Sequence, residues 1–161
     1  MNTLTTESPS SFCAQGGLRS QLRMINGLSK KYDDLYHDVA VRLGVSDSML
    51  DTLYVICDLG EGCTQRDVCT ASWISKQTIN SCVSKMRKEG LLRLEPGRGK
   101  EMRLYLTETG RELANQTAQL VLDCEEAALA SMDPSDVEQL IALMEAHLRQ
   151  LEEHFRPLLD A

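Results

Sequence analysis

This chain of 161 residues has few aromatic residues and few prolines: one Trp, two Phe, four Tyr and four Pro. With so few rings, the core must consist mainly of aliphatic side chains and methionine, and a hydrophobic content of 42% is enough to build one. No stretch approaches the roughly 18 consecutive apolar residues that a membrane-spanning helix needs. We therefore expect a water-soluble, largely aliphatic domain with no membrane partner.

The first residues lack both the basic start and the apolar run of a secretory signal. Cys13 is accordingly a poor candidate for a lipid anchor, and we expect a cytoplasmic protein. The six cysteines should then be reduced rather than paired in disulfides. Residues 1–16 are polar and rich in Ser and Thr, which predicts a flexible tail preceding a single domain over residues 17–161.

Motifs of metal binding and catalysis are missing from the sequence. It contains no CxxC pair and no HExxH motif, and His147 and His154 are too far apart on one helix to chelate an ion unaided. It also has neither a phosphate-binding glycine loop nor a recognisable nucleophile motif. We expect a protein that is not an enzyme and needs no metal or cofactor.

The net charge of -7 is distributed unevenly. Residues 60–105 contain nine Lys and Arg against five Asp and Glu, whereas the rest of the chain is strongly acidic. A basic module on an acidic body is typical of proteins that contact nucleic acid with one face, although an excess of this size also occurs by ordinary surface variation.

Hydrophobic periodicity predicts a mostly α-helical fold. A first helix covers residues 18–43, and Ser46 or Asp47 caps a second helix that ends at Gly60. The next segment, 64–107, reads as a short helix from Thr64 to about Ala71, a turn, a helix capped by Ser75, and two strands joined by PGRGKE. Residues 46–107 thus predict a winged helix-turn-helix, with a small β-hairpin as the wing.

The helix after Ser75 has two different faces. Ile79, Cys82, Val83 and Met86 fall on one narrow arc, which predicts the buried side. The outer side offers amides, hydroxyls and lysines, and no carboxylate occurs between Ser75 and Lys88. These groups suit base edges and phosphates. We expect base-edge contacts from Gln77, Thr78, Asn80 and Ser81, and phosphate contacts mainly from Lys76, Ser84 and Lys85, with Ser75 at the helix start.

Two further elements are candidates for DNA contact. Thr64 and Gln65, at the start of the short helix, could meet a phosphate through backbone N–H groups. Gly97 and Gly99 allow the hairpin to reverse, so that Arg98 and Lys100 project from its tip towards a minor groove.

The last part of the chain predicts two long helices with apolar stripes, one from Thr107 to about Ala130 and one that starts at Pro134 and ends before Pro157. Together with the first helix they carry more apolar surface than one small core needs. We interpret residues 18–43 and 108–156 as dimerisation helices, the alternative being that they pack on their own protomer.

Four short runs occur in a fixed order along the chain: Thr64-Gln65, SKQT from Ser75, KEGLL from Lys88 and LTETG from Leu106. Together they resemble the MarR family of winged helix-turn-helix regulators over roughly residues 20 to 155. The resemblance implies a mostly helical homodimer joined by its terminal helices. It also implies repression from pseudo-palindromic operators, released by a small molecule or an oxidant, with the helix after Ser75 as the recognition helix.

The chain departs from the family pattern at two points. Arg98-Gly99-Lys100 replaces the Asp-Arg-Arg of the wing, and Ser72-Trp73 stands where many relatives have Leu-Gly. The helix over 18–43 contains no cysteine, so the peroxide-sensing mechanism of some relatives does not carry over. Cys57, Cys69, Cys82 and Cys124 read as core residues, which leaves Cys13 and Cys63 as redox candidates. The resemblance implies an effector zone that includes Tyr36, His37 and Tyr54.

The sequence therefore predicts a sequence-specific, homodimeric DNA-binding regulator, with double-stranded DNA and a small-molecule effector as partners. The alternative is a winged-helix protein-interaction module that does not read DNA. Target genes, effector identity and the direction of regulation are not encoded in any motif of the sequence.

Overall fold

The computed structural model describes residues 17–72, 74–99 and 101–160. The predicted flexible tail with Cys13, the side chain of Trp73 and the wing residue Lys100 lie outside the described residues. The order of elements is α1 (Leu18–Leu43), α2 (Asp47–Leu59), α3 (Gln65–Ala71), α4 (Lys76–Lys88), β1 (Leu92–Pro96), β2 (Met102–Leu106), α5 (Glu108–Gln116), α6 (Ala118–Ala130) and α7 (Pro134–Leu159). The predicted fold class, mostly helical with a winged helix-turn-helix between terminal helices, is confirmed.

The core lies where α2 packs against α4 and α6. Leu53 and Ile56 from α2, Ile79 and Met86 from α4, and Leu104 from β2 are all essentially inaccessible to solvent. All four inner residues predicted for α4 are buried, because a rotation of about 100° per residue puts them on one side. The buried face of α4 therefore fixes which face of the helix points outwards.

Polar caps start the helices at the predicted residues. The side chains of Ser46, Ser75 and Thr107 each accept a hydrogen bond from an amide in the first turn of the following helix. Gly44 and Gly90 follow the ends of α1 and α4 with φ values of 74° and 72°, a left-handed conformation that glycine adopts without steric cost. The helix boundaries of the central module thus follow from local chemistry.

The helix predicted from Thr107 to Ala130 is two helices, so that prediction is wrong. Thr117 leaves the helical region with φ -133° and ψ -87°. Its hydroxyl donates to the carbonyl of Leu113 at 2.6 Å, and its side chain is buried. A threonine hydroxyl bonded to the backbone competes with the helical ladder, and the break redirects α6 so that Ala118 and Val121 reach the core while Cys124 and Leu120 are exposed.

The last helix does not end before Pro157 as predicted but continues to Leu159. A proline in the last turn lacks only one backbone donor, and the neighbouring helix end is exposed, so the cost of continuing is small. The described residues contain no helix long and apolar enough to cross a bilayer.

The terminal helices keep their apolar stripes in solvent. No residue of α7 is buried, and Ile141, Met144 and Leu148 each expose more than half of their surface. In α1 only Ala40 is buried, whereas Leu18, Leu28 and Leu35 are exposed. Apart from the end of α1, where Val39 and Leu43 pack against the core, most of the apolar surface of these two 26-residue helices is uncovered by the described residues.

Candidate nucleic-acid interface

The outer face of α4 is fully presented to solvent. Its inner side is anchored by four buried residues, and the N-cap hydroxyl of Ser75 accepts from the amide of Thr78 at 3.2 Å. The exposed side chains are those predicted for DNA contact: Lys76, Gln77, Thr78, Asn80, Ser81, Ser84 and Lys85. Glu89, just after the helix, pairs with this face, its Oε1 lying 3.9 Å from the Nζ of Lys85. The exposed face of α4 itself thus carries amides and hydroxyls near its start and lysines at both ends, and it contains no acidic residue.

The start of α3 is closed by a capping box. The backbone amide and the hydroxyl of Thr64 donate to the carboxylate of Asp67 at 2.7 and 2.9 Å, and the amide of Asp67 donates back to the Thr64 hydroxyl. The backbone hydrogen bond from Thr64, followed by the one from its hydroxyl, lowers the pKa of the Asp67 carboxyl. Because the N–H of Thr64 is already bonded, Gln65 is the better placed of the two residues for a phosphate contact.

A groove of about 540 Å³ separates α3 and α4 from the wing. Gln65 and Lys76, both predicted for DNA contact, line it together with Asn80. Arg66, which the sequence reasoning missed, also lines this groove and is exposed. A helix of only seven residues is too short for periodicity to show which way one basic side chain points, so no sequence signal singled it out. Glu101 at the wing end of the groove is the one acidic side chain among the lining residues described.

The wing is an antiparallel hairpin in which Leu92 faces Leu106 and Pro96 faces Met102. The amide of Gly97 donates to the carbonyl of Glu101 at 2.8 Å, and Gly99 takes a φ of 65° at the tip. Arg98 is exposed there, and no ion pair engages it in the described part of the chain. The tip thus presents an arginine on a short glycine-flanked turn, the arrangement predicted from the sequence.

Two arginines of the hairpin, Arg103 and Arg93, make structural contacts. Arg103 donates to the carbonyl of Gly62 at 2.8 Å, next to a backbone pairing in which Leu104 donates to the carbonyl of Cys63. Arg93 forms an ion pair with Glu95 and lies 5.0 Å from the ring centroid of Tyr105. The Arg93 contacts brace the hairpin itself, whereas the bonds from Arg103 and Leu104 tie it to the segment before α3.

The predicted effector residues divide between two places. Tyr36 and Tyr54 both donate to the carboxylate of Glu125, which joins α1 and α2 to α6. Loss of solvent, followed by the hydrogen bond to Glu125, raises the pKa of Tyr36 to about 12 and raises the pKa of Tyr54 as well. His37 is not beside them: its Nδ1 contacts the carboxylate of Asp47 at 3.1 Å, and that contact raises the pKa of the imidazole.

The two tyrosines border a cavity of about 280 Å³ between α1, α2, α6 and the end of α3. Its lining also contains apolar residues from α2 and α6 and the half-buried Ser72 at the end of α3. Glu125 was missed at the sequence level because its two partners lie 89 and 71 positions away along the chain.

Of the two cysteines considered for redox chemistry, only Cys63 lies among the described residues. Cys63, one of the two candidates, is buried, and burial raises the pKa of its thiol, which disfavours the reactive thiolate. Cys82 is a core residue as predicted, whereas Cys124 is exposed and the prediction that it lies inward is wrong. The described residues contain no group of three or more His, Cys, Asp or Glu that could hold a metal ion.

Comparisons with known proteins agree with this geometry. Residues 37–101 match the sequence profile of the MarR family, and no curated protein matches the chain. A MarR family regulator from Neisseria meningitidis shares the fold with a TM-score of 0.74 at 18% identity, covering 85% of this chain and 97% of that one.

Two further solved structures share the fold at similarly low identity. The MepR–DNA complex of S. aureus has a TM-score of 0.63 at 18% identity, over 84% of this chain and 96% of that one. BpsR of Bordetella bronchiseptica, whose DNA binding is regulated by 6-hydroxynicotinic acid, has a TM-score of 0.60 at 14% identity, over 83% of this chain and 98% of that one.

Proposed function

We propose that this chain, a MarR-family protein by its match over residues 37–101 and its winged helix-turn-helix fold, represses transcription as a cytoplasmic homodimer. In this proposal it binds a pseudo-palindromic operator and releases it when a small molecule binds. The protein has no enzymatic role in this proposal and uses no cofactor.

One observation carries the DNA-binding part: the exposed face of α4 has no carboxylate from Lys76 to Lys88 in a chain whose net charge is -7. Phosphates repel carboxylates, so a helix that enters a major groove must keep acids off its outer face, whereas an ordinary solvated helix mixes both signs. Gln77 and Asn80 bring amides that pair with adenine edges, and Lys76 and Lys85 bring charge for the backbone.

The wing adds a second contact to the same duplex. Arg98 at the exposed tip is held by a turn that is tied at its base to the segment before α3. A recognition helix in the major groove then leaves the tip over the adjacent minor groove, where a narrow groove attracts arginine. Lys100 has the same role in the proposal. MepR, which shares the fold, has been solved on DNA.

The exposed stripes of α1 and α7 support a dimer. An apolar face running the length of two helices is costly in water, and a second copy of the chain can cover it with a matching face. A two-fold dimer carries two recognition helices, so its operator must consist of two related half-sites. The pseudo-palindromic operator in the proposal follows from that symmetry.

Tyr36 and Tyr54 are proposed effector contacts because they border a cavity that touches α1, α2, α6 and the end of α3. A molecule bound there would contact both the terminal helices and the helix-turn-helix, and so could favour one relative position of the two. His37, paired with Asp47 outside this cavity, would act only on the α1–α2 junction. In BpsR a small molecule regulates DNA binding, which is the behaviour proposed for this chain.

The experiment that tests the function is enrichment of random duplex DNA on the purified, reduced protein, followed by sequencing of the retained pool. A two-fold motif with half-sites about one helical turn apart is the expected result. Retention without a motif would contradict sequence-specific recognition. No retention even at low salt would favour a winged-helix module that binds other proteins.

A further inference from the structure

The cavity beside Tyr36 and Tyr54 has an unusual charge pattern. Among the described residues that line it, two are carboxylates, Asp51 and Glu125, and none is a lysine, arginine or histidine. The rest of the wall consists of the tyrosines, one serine and small or aliphatic side chains such as Val55 and Val121. An anionic ligand would meet repulsion from both acids with no cation to offset it.

Glu125 is fixed in position by its two phenol donors. Oε1 accepts from Tyr36 and Oε2 accepts from Tyr54 at 2.6 Å, and the raised pKa of each phenol keeps the donors protonated at neutral pH. A carboxylate has about four lone-pair sites, so each oxygen of Glu125 retains room for one more donor. Each oxygen of Glu125 can therefore accept one further hydrogen bond, and an N–H group of a ligand can donate it.

Asp51 lies on α2 one turn before Tyr54, is half-buried, and has no side-chain hydrogen bond or ion pair within the described ranges. Loss of solvent, with a smaller contribution from the nearby Asp47, raises the pKa of this carboxyl. A cation next to Asp51 would offset that penalty and favour the charged carboxylate.

The cavity wall contains a third polar side chain, that of Ser72. The Oγ atom of Ser72 is inaccessible to solvent and has no hydrogen-bond partner among the described residues. Buried hydroxyls are nearly always bonded in native proteins, so this wall position is an exception among the described residues. Ser72 follows α3, in the turn that leads to the recognition helix.

We propose that this cavity binds an organic cation, a primary or secondary ammonium on an apolar body, with its N–H groups donating to Glu125 and Asp51. The aliphatic and tyrosine walls cover the body, and the volume of about 280 Å³ limits it to roughly one ring with a short chain. That the cation acts as effector rests on the proposed function, since the cavity is also lined by Ala71 and Ser72, which lead into the turn between α3 and α4.

The test uses three probes that share one skeleton and differ in the charge of the head: 3-phenylpropylamine, 3-phenylpropan-1-ol and 3-phenylpropionate. Calorimetric titration into the reduced, full-length protein should give an affinity for the amine about tenfold or more above that for either other probe. Equal or tighter binding of the carboxylate, or no amine binding at millimolar concentration, would overturn the inference.

Variants of the acids assign the effect to the cavity. Glu125→Gln keeps an acceptor for one tyrosine and removes the charge, and Asp51→Asn alters a side chain that the fold does not use. Each should reduce the amine affinity about tenfold while leaving the alcohol unchanged. Glu126→Gln is the matched control, because Glu126 is exposed and does not line the cavity. An equal loss in Glu126→Gln would mean that the preference comes only from the acidic surface.

DNA affinity measured on the same preparations separates the two proposals. Amine binding without any DNA retention would leave the cation site standing and contradict the regulatory function. Sequence-specific DNA retention without amine selectivity would support the regulatory function and contradict the cation site.

Discussion

The carbonyl oxygen of Leu91 occupies the space that a side chain on Gly110 would need. Leu91 precedes β1 and Gly110 lies in the first turn of α5, and the two segments are held together by hydrogen bonds from Thr107 to the carbonyls of Leu91 and Gly90. Glycine in the LTETG run therefore permits close packing of α5 on the corner between α4 and the wing.

Replacing Gly110 by alanine should lower the free energy of unfolding by about 1–3 kcal/mol or more, because its β-carbon would overlap backbone that cannot move aside freely. Gly27→Ala is the control. Gly27 lies in α1 with nothing near its would-be β-carbon, so that change should stabilise α1 by about 0.5–1 kcal/mol. Urea unfolding of both variants checks the pair; equal effects would contradict the close packing.

Gln77→Ala should relax sequence preference at one operator position, with a loss of about 1–3 kcal/mol against the preferred base. The reason is the exposed position of the amide on the acid-free face of α4. Gln116→Ala, at an exposed position of α5, should leave the motif unaltered. The measurement is the affinity of each protein for every single-base variant of the operator. An unchanged preference at every position would exclude Gln77 from base contact.

Arg98→Ala should weaken DNA binding and reduce the slope of log affinity against log salt by about one phosphate contact. Arg98→Lys is its matched control, since it keeps the charge on the same turn and should largely keep the slope. Titrations at several salt concentrations measure both. A slope that is identical in all three proteins would mean that the wing stays away from the duplex.

Ile141→Asp in α7 should weaken self-association about 100-fold or more, because a carboxylate would enter an apolar interface. Ile141 exposes more than half its surface in the single chain, so the central core should stay folded. Gln139→Asp puts the same charge on an exposed polar position of α7 and should have little effect. Sedimentation measures the mass, with methyl NMR of the core as the folding control; an unaltered dimer would exclude this face.

Stability should fall as pH rises through the raised pKa of His37. The hydrogen bond and the charge of Asp47 favour protonated imidazole, with Asp38 and Asp34 adding to the field. The stabilisation is therefore complete below the unfolded pKa of about 6.5 and lost above the folded one. Unfolding by urea near pH 6 and near pH 8.5 checks this; His37→Gln should show the smaller pH dependence, and Asp47→Asn should resemble it.

Much of the central module could be predicted because its signals are local. Ser75 caps α4, Gly90 ends it and the four inner residues are spaced for one helix face, and each of these follows from neighbours along the chain. The same holds for the strand pairing around the wing tip, which a short turn between two alternating segments dictates.

The features that sequence reasoning missed depend on contacts between distant segments. Nothing between Thr107 and Ala130 breaks a helix by composition, and Thr117 does so because its side chain is buried against the core. The role of Glu125 likewise arises only when α1 and α2 bring two phenols to it. The placement of Tyr36, His37 and Tyr54 therefore needed coordinates, whereas the outward face of α4 did not.

The exposed apolar face of α7 has a consequence for the stability of the protein at low concentration. A helix of 26 residues with no fully buried residue gains little tertiary support from the described residues, and isolated helices are marginal in water. In the proposed dimer a second chain would order it, so folding of the ends and assembly would become a single bimolecular step. The melting temperature should rise with protein concentration, and the concentration in the cell would determine the fraction of chains that are folded and dimeric.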